Sequence, residues 1–236
     1  MSEYYRQLSA EELREKARKS AASASKKGRR YEPLVAQSTG RKLCTSWWGQ
    51  AWCDNLESYS DYSNRLPRGK RYVRSGAVID LVISEGVVKA KVQGSRVKPY
   101  TVTIKIDPLP EKSRKIIEER CISGIQSLED LMAGKFPKDM QDLFRSQDGL
   151  FPSPSQIHFD CSCPDWAYMC KHVAAVMYGI GVKLDENPFL FFELRQINPE
   201  KLVQKAVANK LEAMLENADR PSKRILKEDP DQLFGL

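Results

Sequence analysis

The sequence is poor in histidine and contains no long hydrophobic run. Two histidines in 236 residues leave few candidates for a catalytic site built on imidazoles. The longest stretch of apolar and small residues, 173–182, is too short to span a bilayer. A Gly-x4-Gly-Lys-Ser/Thr phosphate loop is also absent, which excludes a nucleotide motor of that type.

The N-terminal residues and the positions of the cysteines both indicate the expected cellular compartment. The first residues, Met-Ser-Glu-Tyr-Tyr-Arg-Gln, lack the apolar segment of a secretory signal. Three of the six cysteines (Cys44, Cys53 and Cys121) are scattered, and the other three lie close to a histidine. In a reducing compartment such a group binds metal sooner than it forms disulfides. We therefore expect a cytoplasmic protein that has no membrane contact.

Four side chains that can bind a metal lie within twelve residues: Cys161, Cys163, Cys170 and His172. Three thiolates and one imidazole complete a tetrahedral zinc shell and leave no open position for catalysis. The sequence therefore predicts one structural Zn²⁺, and the alternative is a set of reduced, metal-free thiols. His158, which lies outside this spacing, is expected to be a strand residue and not a ligand.

Positive charge is concentrated in two blocks of a chain whose net charge is +7 and whose pI is 9.0. Residues 1–30 hold nine Lys and Arg, and residues 65–107 hold ten against three acids. Such blocks are typical of a surface that binds a polyanion, and the alternative is a solvated basic face. The residues expected to contact nucleic acid are Arg68, Lys70, Arg71, Arg74, Lys89, Lys91, Lys98 and Lys171.

The hydrophobic pattern predicts an α+β fold. An antiparallel β meander over 77–106 packs with helices, and a small zinc-stabilised strand-turn-helix finger and C-terminal helices follow it. In the meander, Glu85-Gly86 is the predicted hairpin turn, and Lys89 and Lys91 alternate with buried residues. The predicted segments are a basic helix with a flexible linker (1–40), the α+β domain (41–150), the finger (151–185), and helices with a loose tail (186–236).

Further sequence patterns predict where helices begin and end in the rest of the chain. Ser9 and Glu12 form a capping-box pattern, whereas 20–28 has few residues to bury and is expected to be mobile. Asn187-Pro188 and Asn198-Pro199 each pair an N-cap with proline at the first helical position. The further predicted helices are 111–133 (bent near Ser123-Gly124), 136–144, 189–196 and 200–217.

Several aromatic residues have two interpretations. Trp47, Trp48 and Trp52 are expected to pack into the core, and the alternative is stacking on bases. Trp166 and Tyr168 lie between the two ligand pairs. We expect them to cover the metal, and contact with nucleic acid or a partner is the alternative.

The Cys-x-Cys-x6-Cys-x-His pattern resembles the SWIM zinc finger, as do Pro164 and the small residues 173–176 after His172. A wider and weaker similarity to bacterial SWIM zinc-finger proteins covers 41 to about 185, through the segments 47–52, 69–76, 92–95 and 99–100. The resemblance implies DNA binding or protein–protein interaction. It also implies that the chain acts with a Swi2/Snf2-family helicase-like ATPase.

We therefore expect a zinc-binding protein that binds nucleic acid, with DNA favoured, as an accessory to a helicase-like ATPase. The alternative is an interaction adaptor that makes no direct contact with nucleic acid. Asp160, Asp165 and Glu193 form no recognisable catalytic constellation. We therefore expect neither an enzyme nor a small-molecule substrate.

Overall fold

The computed structural model describes residues 7–36, 38, 40–58, 64–124, 144 and 149–218. Over these ranges the chain forms seven α-helices and one four-stranded antiparallel sheet. None of the described helices is long and apolar enough to cross a membrane. The elements are α1 (Ala10–Ser25), α2 (Trp47–Glu57), α3 (Leu66–Arg74), β1 (Val78–Ser84), β2 (Val87–Val92), β3 (Tyr100–Ile106), α4 (Glu111–Gly124), β4 (Ile157–Cys161), α5 (Lys171–Glu186), α6 (Leu190–Leu194) and α7 (Pro199–Ala218).

The sheet has the strand order β1-β2-β3-β4. Glu85 and Gly86 both have positive φ, at 40° and 78°, so the predicted two-residue hairpin turn is confirmed. The fourth strand comes from the predicted finger, because Phe159 of β4 pairs with Ile104 of β3. The meander and the finger therefore share one sheet.

Helix α5 fills the centre of the molecule. One side of α5 contacts the sheet, and α2 and α3 pack against it as well. Glycine permits the close approach of α3, because a Cβ at Gly69 would lie 2.7 Å from the Cβ of Ala174. Almost every residue of α5 from His172 to Leu184 is buried for this reason.

The tryptophans of α2 anchor it to α5. Trp52 is 2% exposed, and its Nε1 donates to the Met177 carbonyl at 2.8 Å. Trp48 is half-buried and donates to the Leu184 carbonyl at 2.8 Å. The predicted packing role is confirmed for both residues. Cys44 and Cys53 are also buried, as free thiols whose sulfurs lie 3.6 Å apart.

Two helices differ in extent from the sequence-based prediction. The Ser9–Glu12 capping box is present, but α1 continues to Ser25 through part of the segment expected to be mobile. Burial of Ala24 stabilises this last turn, and composition alone did not indicate it. The helix predicted over 189–196 is shorter, and α6 has only five residues.

The remaining predictions of helices and segments either agree with the structure, fall on residues outside the described ranges, or stay untested. Asn198 caps α7, since its Oδ1 accepts the N–H of Lys201 at 3.1 Å. Helix α4 is described as far as Gly124, and the remainder of its predicted span lies outside the described residues, as do the loose tail and 136–143. The four-segment division stays a prediction, although the hydrophobic core includes residues from each predicted segment.

Candidate metal centre and its surroundings

The Cys-x-Cys turn is held at the end of β4 by the neighbouring strand. The Ser162 N–H donates to the Thr101 carbonyl at 3.0 Å, and the Thr101 N–H donates to Ser162 Oγ at 2.9 Å. These two bonds extend the β3–β4 pairing by one residue. Cys161 and Cys163, on either side of Ser162, are thereby fixed at the edge of the core.

The second ligand pair lies at the start of α5. Cys170 is the N-cap residue of the helix, with extended backbone angles, and its sulfur accepts the Val173 N–H at 3.5 Å. His172 follows in the first turn and is buried. The positive end of the helix dipole favours thiolates at this position. The predicted order of strand, ligand turn, loop and helix is confirmed.

The four ligand atoms converge on one point. They all lie within 4.8 Å of one another, and His172 Nδ1 is 4.0 Å from Cys161 Sγ and 3.8 Å from Cys170 Sγ. Ligands around a tetrahedral zinc are about 3.6–3.8 Å apart, given Zn–S near 2.3 Å and Zn–N near 2.0 Å. The cluster therefore fits one structural zinc ion, bound through Nδ1 of the imidazole.

In the metal-free cluster part of the ligand set is already in its metal-binding form, whereas hydrogen bonding to Cys163 raises the pKa of the Cys161 thiol and keeps it protonated. Hydrogen bonds from the thiols of Cys161 and Cys170 lower the pKa of Cys163. Burial lowers the pKa of His172 and so favours its neutral form. A thiolate and a neutral imidazole are the states in which these side chains bind metal.

Aromatic side chains surround the imidazole of His172. Tyr100 stacks on it at 4.3 Å between ring centroids, and Tyr72 meets it edge-on at 5.5 Å. A Cβ at Gly94 would lie 2.6 Å from Tyr100 Cε2 and 3.0 Å from His172 Nε2, so a side chain there would displace the Tyr100 ring from the imidazole. Burial raises the pKa of Tyr72 to about 12, which keeps its hydroxyl neutral. The ring is thus oriented mainly by packing.

Comparisons with known proteins agree with this geometry. The SWIM zinc-finger family model matches residues 160–179, which include all four ligands. The uncharacterized protein Rv2102 of Mycobacterium tuberculosis is 34% identical over 188 residues, 79% of this chain and 68% of that protein. The chain belongs to the SWIM zinc-finger proteins. No solved structure matches it.

The wider SWIM resemblance now has a physical explanation. Tyr72, Gly94 and Tyr100, all within the similar segments, are the residues that pack around His172. Gly69 is the contact point of α3 with the finger helix. Their positions in the sequence indicate no role for these residues, because their convergence depends on how β2, β3 and α3 meet α5.

The predicted nucleic-acid contacts are divided between two sides of the molecule. Arg68, Lys70, Arg71 and Arg74 lie on α3, which packs on the finger helix that begins at Lys171. Lys89 and Lys91 lie on the opposite, open face of the sheet, since their neighbours in β2 are buried against α5. Lys98 is exposed in the loop before β3.

Two of the predicted cations on α3 already have partners. Lys70 Nζ lies 2.6 Å from Glu57 Oε1 and 5.3 Å from the centre of the Tyr178 ring. Arg74 donates to the carbonyls of Gly40 and Arg41, at 2.9 and 2.6 Å. Lys70 is therefore neutralised, whereas Arg74 keeps its charge while it fixes the segment before α2.

The open face of the sheet has mixed charge. Asp80 is the cross-strand partner of Lys91, and Asp160 is paired with Thr103 on the same face. Lys91 also donates to Thr101 Oγ1 at 2.7 Å. The sequence predicted a basic face because the acids come from other strands.

The loop between the ligand pairs differs from expectation. Trp166 is 99% exposed, so the prediction that it covers the metal is wrong. Tyr168 is 57% exposed, and its hydroxyl donates to the Ile157 carbonyl at 2.8 Å. His158 is confirmed as a strand residue, with Nε2 3.0 Å from Asp107 Oδ1. The carboxylate of Asp165 lies 3.0 Å from the guanidinium of Arg65, and this ion pair connects the loop to the start of α3.

Proposed function

We propose that this chain is a nucleic-acid-binding protein, with DNA as its expected ligand, in which zinc organises the fold and performs no chemistry. The observation that carries this proposal is the composition of α3. Its nine residues contain four cations and no acid, and the helix packs directly on the zinc-finger helix. A cationic helix held rigidly by a folded core is a suitable contact for a phosphate backbone.

The surroundings of α3 support the same function. Arg68 is exposed and, among the described residues, lies near no carboxylate. Lys171, at the start of the finger helix, lies 6.0 Å from the centre of the Tyr72 ring on α3. The exposed ring of Trp166 lies in the loop tied to the start of α3 and can stack on an unpaired base.

The test is a fluorescence anisotropy titration of labelled single-stranded DNA, duplex DNA and RNA at increasing KCl. We expect Arg68→Gln with Lys171→Gln to weaken binding about tenfold at low salt and to lower the salt slope by about 1.4–1.8 for two lost phosphate contacts. The matched control is Lys112→Gln with Lys201→Gln, which removes the same charge from two exposed positions on α4 and α7. Absence of binding at low salt by the unsubstituted chain would overturn the proposal.

The lysines of the open sheet face provide a second comparison. We expect Lys89→Gln with Lys91→Gln to weaken binding less than the substitutions at Arg68 and Lys171. Asp80 and Asp160 offset the positive field there, and long-range attraction depends on the summed charge. An equal or larger loss would place the main contact on the sheet.

A protein-interaction adaptor is the second candidate, and the apolar stripe of α7 favours it. Val207, Leu211, Met214 and Leu215 recur at helical spacing and are 57–62% exposed. Such a stripe is typical of a helix that enters a groove on a partner. If a Swi2/Snf2-family ATPase is that partner, it should co-purify with the native chain and be lost with Leu211→Ser. Recovery of nucleic acid and no ATPase would contradict this role.

The two roles are compatible, because α3 and α7 are different helices with different surfaces. An accessory protein for a helicase-like ATPase would use α3 for nucleic acid and α7 for the motor. We further propose that the chain is not an enzyme and acts in the cytoplasm. The four protein ligands support the first statement, because they leave the metal no open position.

A further inference from the structure

A cleft of about 390 Å³ lies between α1 and α3, away from the zinc ligands. Four of its seven lining residues are cations (Arg14, Lys70, Arg71 and Arg74), and none is an acid. Arg14 comes from α1 and the others from α3. Two separate helices therefore bring positive charge to one concave surface.

Most of this charge is not neutralised. Lys70 forms an ion pair with Glu57, and Arg74 meets only neutral carbonyl oxygens. Within the described ranges, Arg14 and Arg71 have no carboxylate partner. The Nε atom of Arg71 is buried and donates to no acceptor there. Arg71 lines the cleft, so its guanidinium, which no carboxylate of the described residues neutralises, is available to an anion that enters there.

The dipole of α3 accounts for only part of the arrangement. Arg71 and Arg74 lie in the last turn of α3, where cations offset the negative end of a helix. That role requires neither Arg14, which belongs to α1, nor a concave surface. Like charges on one helix face also repel each other, as Arg71 and Arg74 do at a spacing of three residues. An anion in the cleft would relieve this repulsion.

We propose that the α1–α3 cleft binds phosphate groups, and that they are the backbone phosphates of a nucleic-acid strand. The inference rests on the proposed function and gives it a defined subsite. The guanidinium fork of arginine matches the geometry of two phosphate oxygens, and Arg14 and Arg71 approach from different helices. The volume is at the lower end for ligand sites, and it suits one or two phosphates of a chain that continues along the surface.

The test compares two double variants with the same loss of charge. Arg14→Gln with Arg71→Gln alters the cleft, and Arg29→Gln with Arg30→Gln alters two exposed arginines after α1 that do not line it. Each variant is titrated with a labelled single-stranded oligonucleotide at increasing KCl. Inorganic pyrophosphate is the second probe, and its effect is read as a change in Tm. Zinc content and circular dichroism confirm that both variants fold.

We expect the cleft variant to bind the oligonucleotide about tenfold more weakly than the control variant, with a salt slope lower by about 1.4. The rise in Tm with pyrophosphate should be present in the control variant and absent in the cleft variant. Equal behaviour of the two variants toward both probes would overturn the proposal.

The two phosphate sources are distinguished by the remaining outcomes. Loss of the pyrophosphate effect with unchanged oligonucleotide affinity would overturn the nucleic-acid assignment and leave a site for free phosphate esters. If the unsubstituted chain binds no nucleic acid, the proposed function fails, and the pyrophosphate arm still decides whether the cleft binds phosphate.

Discussion

Cys163 is the residue at which the metal site is most directly tested. Its thiol is partly buried at the margin of the core and is one of the four converging ligand atoms, so we expect its loss to act mainly through the metal. We expect Cys163→Ala to weaken zinc binding by at least about 100-fold, or about 2.7 kcal/mol, because three ligands no longer close the tetrahedron. The measurement is zinc stoichiometry by metal analysis, together with competition against a colorimetric chelator.

Cys44→Ala is the matched control for this prediction. Cys44 is a buried thiol that packs on Cys53 and takes no part in the cluster. We expect it to lower the free energy of unfolding by about 1 kcal/mol, as is typical of a small core truncation, while one zinc per chain is retained. Equal zinc content in the two variants would contradict the assignment of Cys163 as a ligand.

At the scale of elements, Gly69 controls how closely α3 approaches the finger helix. A Cβ there would lie 2.8 Å from the backbone carbon of Ala174 and 2.9 Å from the nitrogen of Ala175, and backbone atoms do not move aside cheaply. We expect Gly69→Ala to destabilise the fold by about 1–3 kcal/mol through overpacking, although alanine is the better helix former. Urea unfolding measures the difference.

Gly40→Ala is the control for Gly69→Ala. The nearest atom to a Cβ at Gly40 is Ser38 Oγ at 3.8 Å, so the added methyl group meets ordinary contacts. We expect a change within about 0.5 kcal/mol. If Gly69→Ala proves as stable as this control, the two helices do not pack as closely as described.

Elements governed by local chemistry were predictable, and those governed by distant contacts were not. The hairpin turn at Glu85-Gly86 and the cap at Asn198 follow from a few neighbouring residues. The ligand set was predictable for the same reason, since its spacing is short. The last turn of α1 depends on burial of Ala24. The orientation of His172 depends on Tyr72 and Tyr100, which are far from it in sequence.

At the scale of the whole molecule, the zinc site belongs to the main core. β4 is the fourth strand of the sheet, and α5 is buried against the sheet, α2 and α3. From the sequence alone, zinc removal is expected to melt residues from about 155 to 185 and to spare the strand-rich half. The shared sheet and the central position of α5 make that separation physically costly, because unfolding α5 exposes the apolar face of every strand.

We therefore expect chelation to destabilise the entire described body in one cooperative step. Hydrogen exchange followed by mass spectrometry is the measurement, since it reports each strand separately. Amide protection in β1 and β2 should fall together with protection in β4 and α5, and added Zn²⁺ in excess of the chelator should restore all four. Structural zinc contributes its binding free energy directly to folding, so a large effect is required. Intact protection of β1 and β2 beside freely exchanging β4 and α5 would instead show that the finger unfolds as a separate unit.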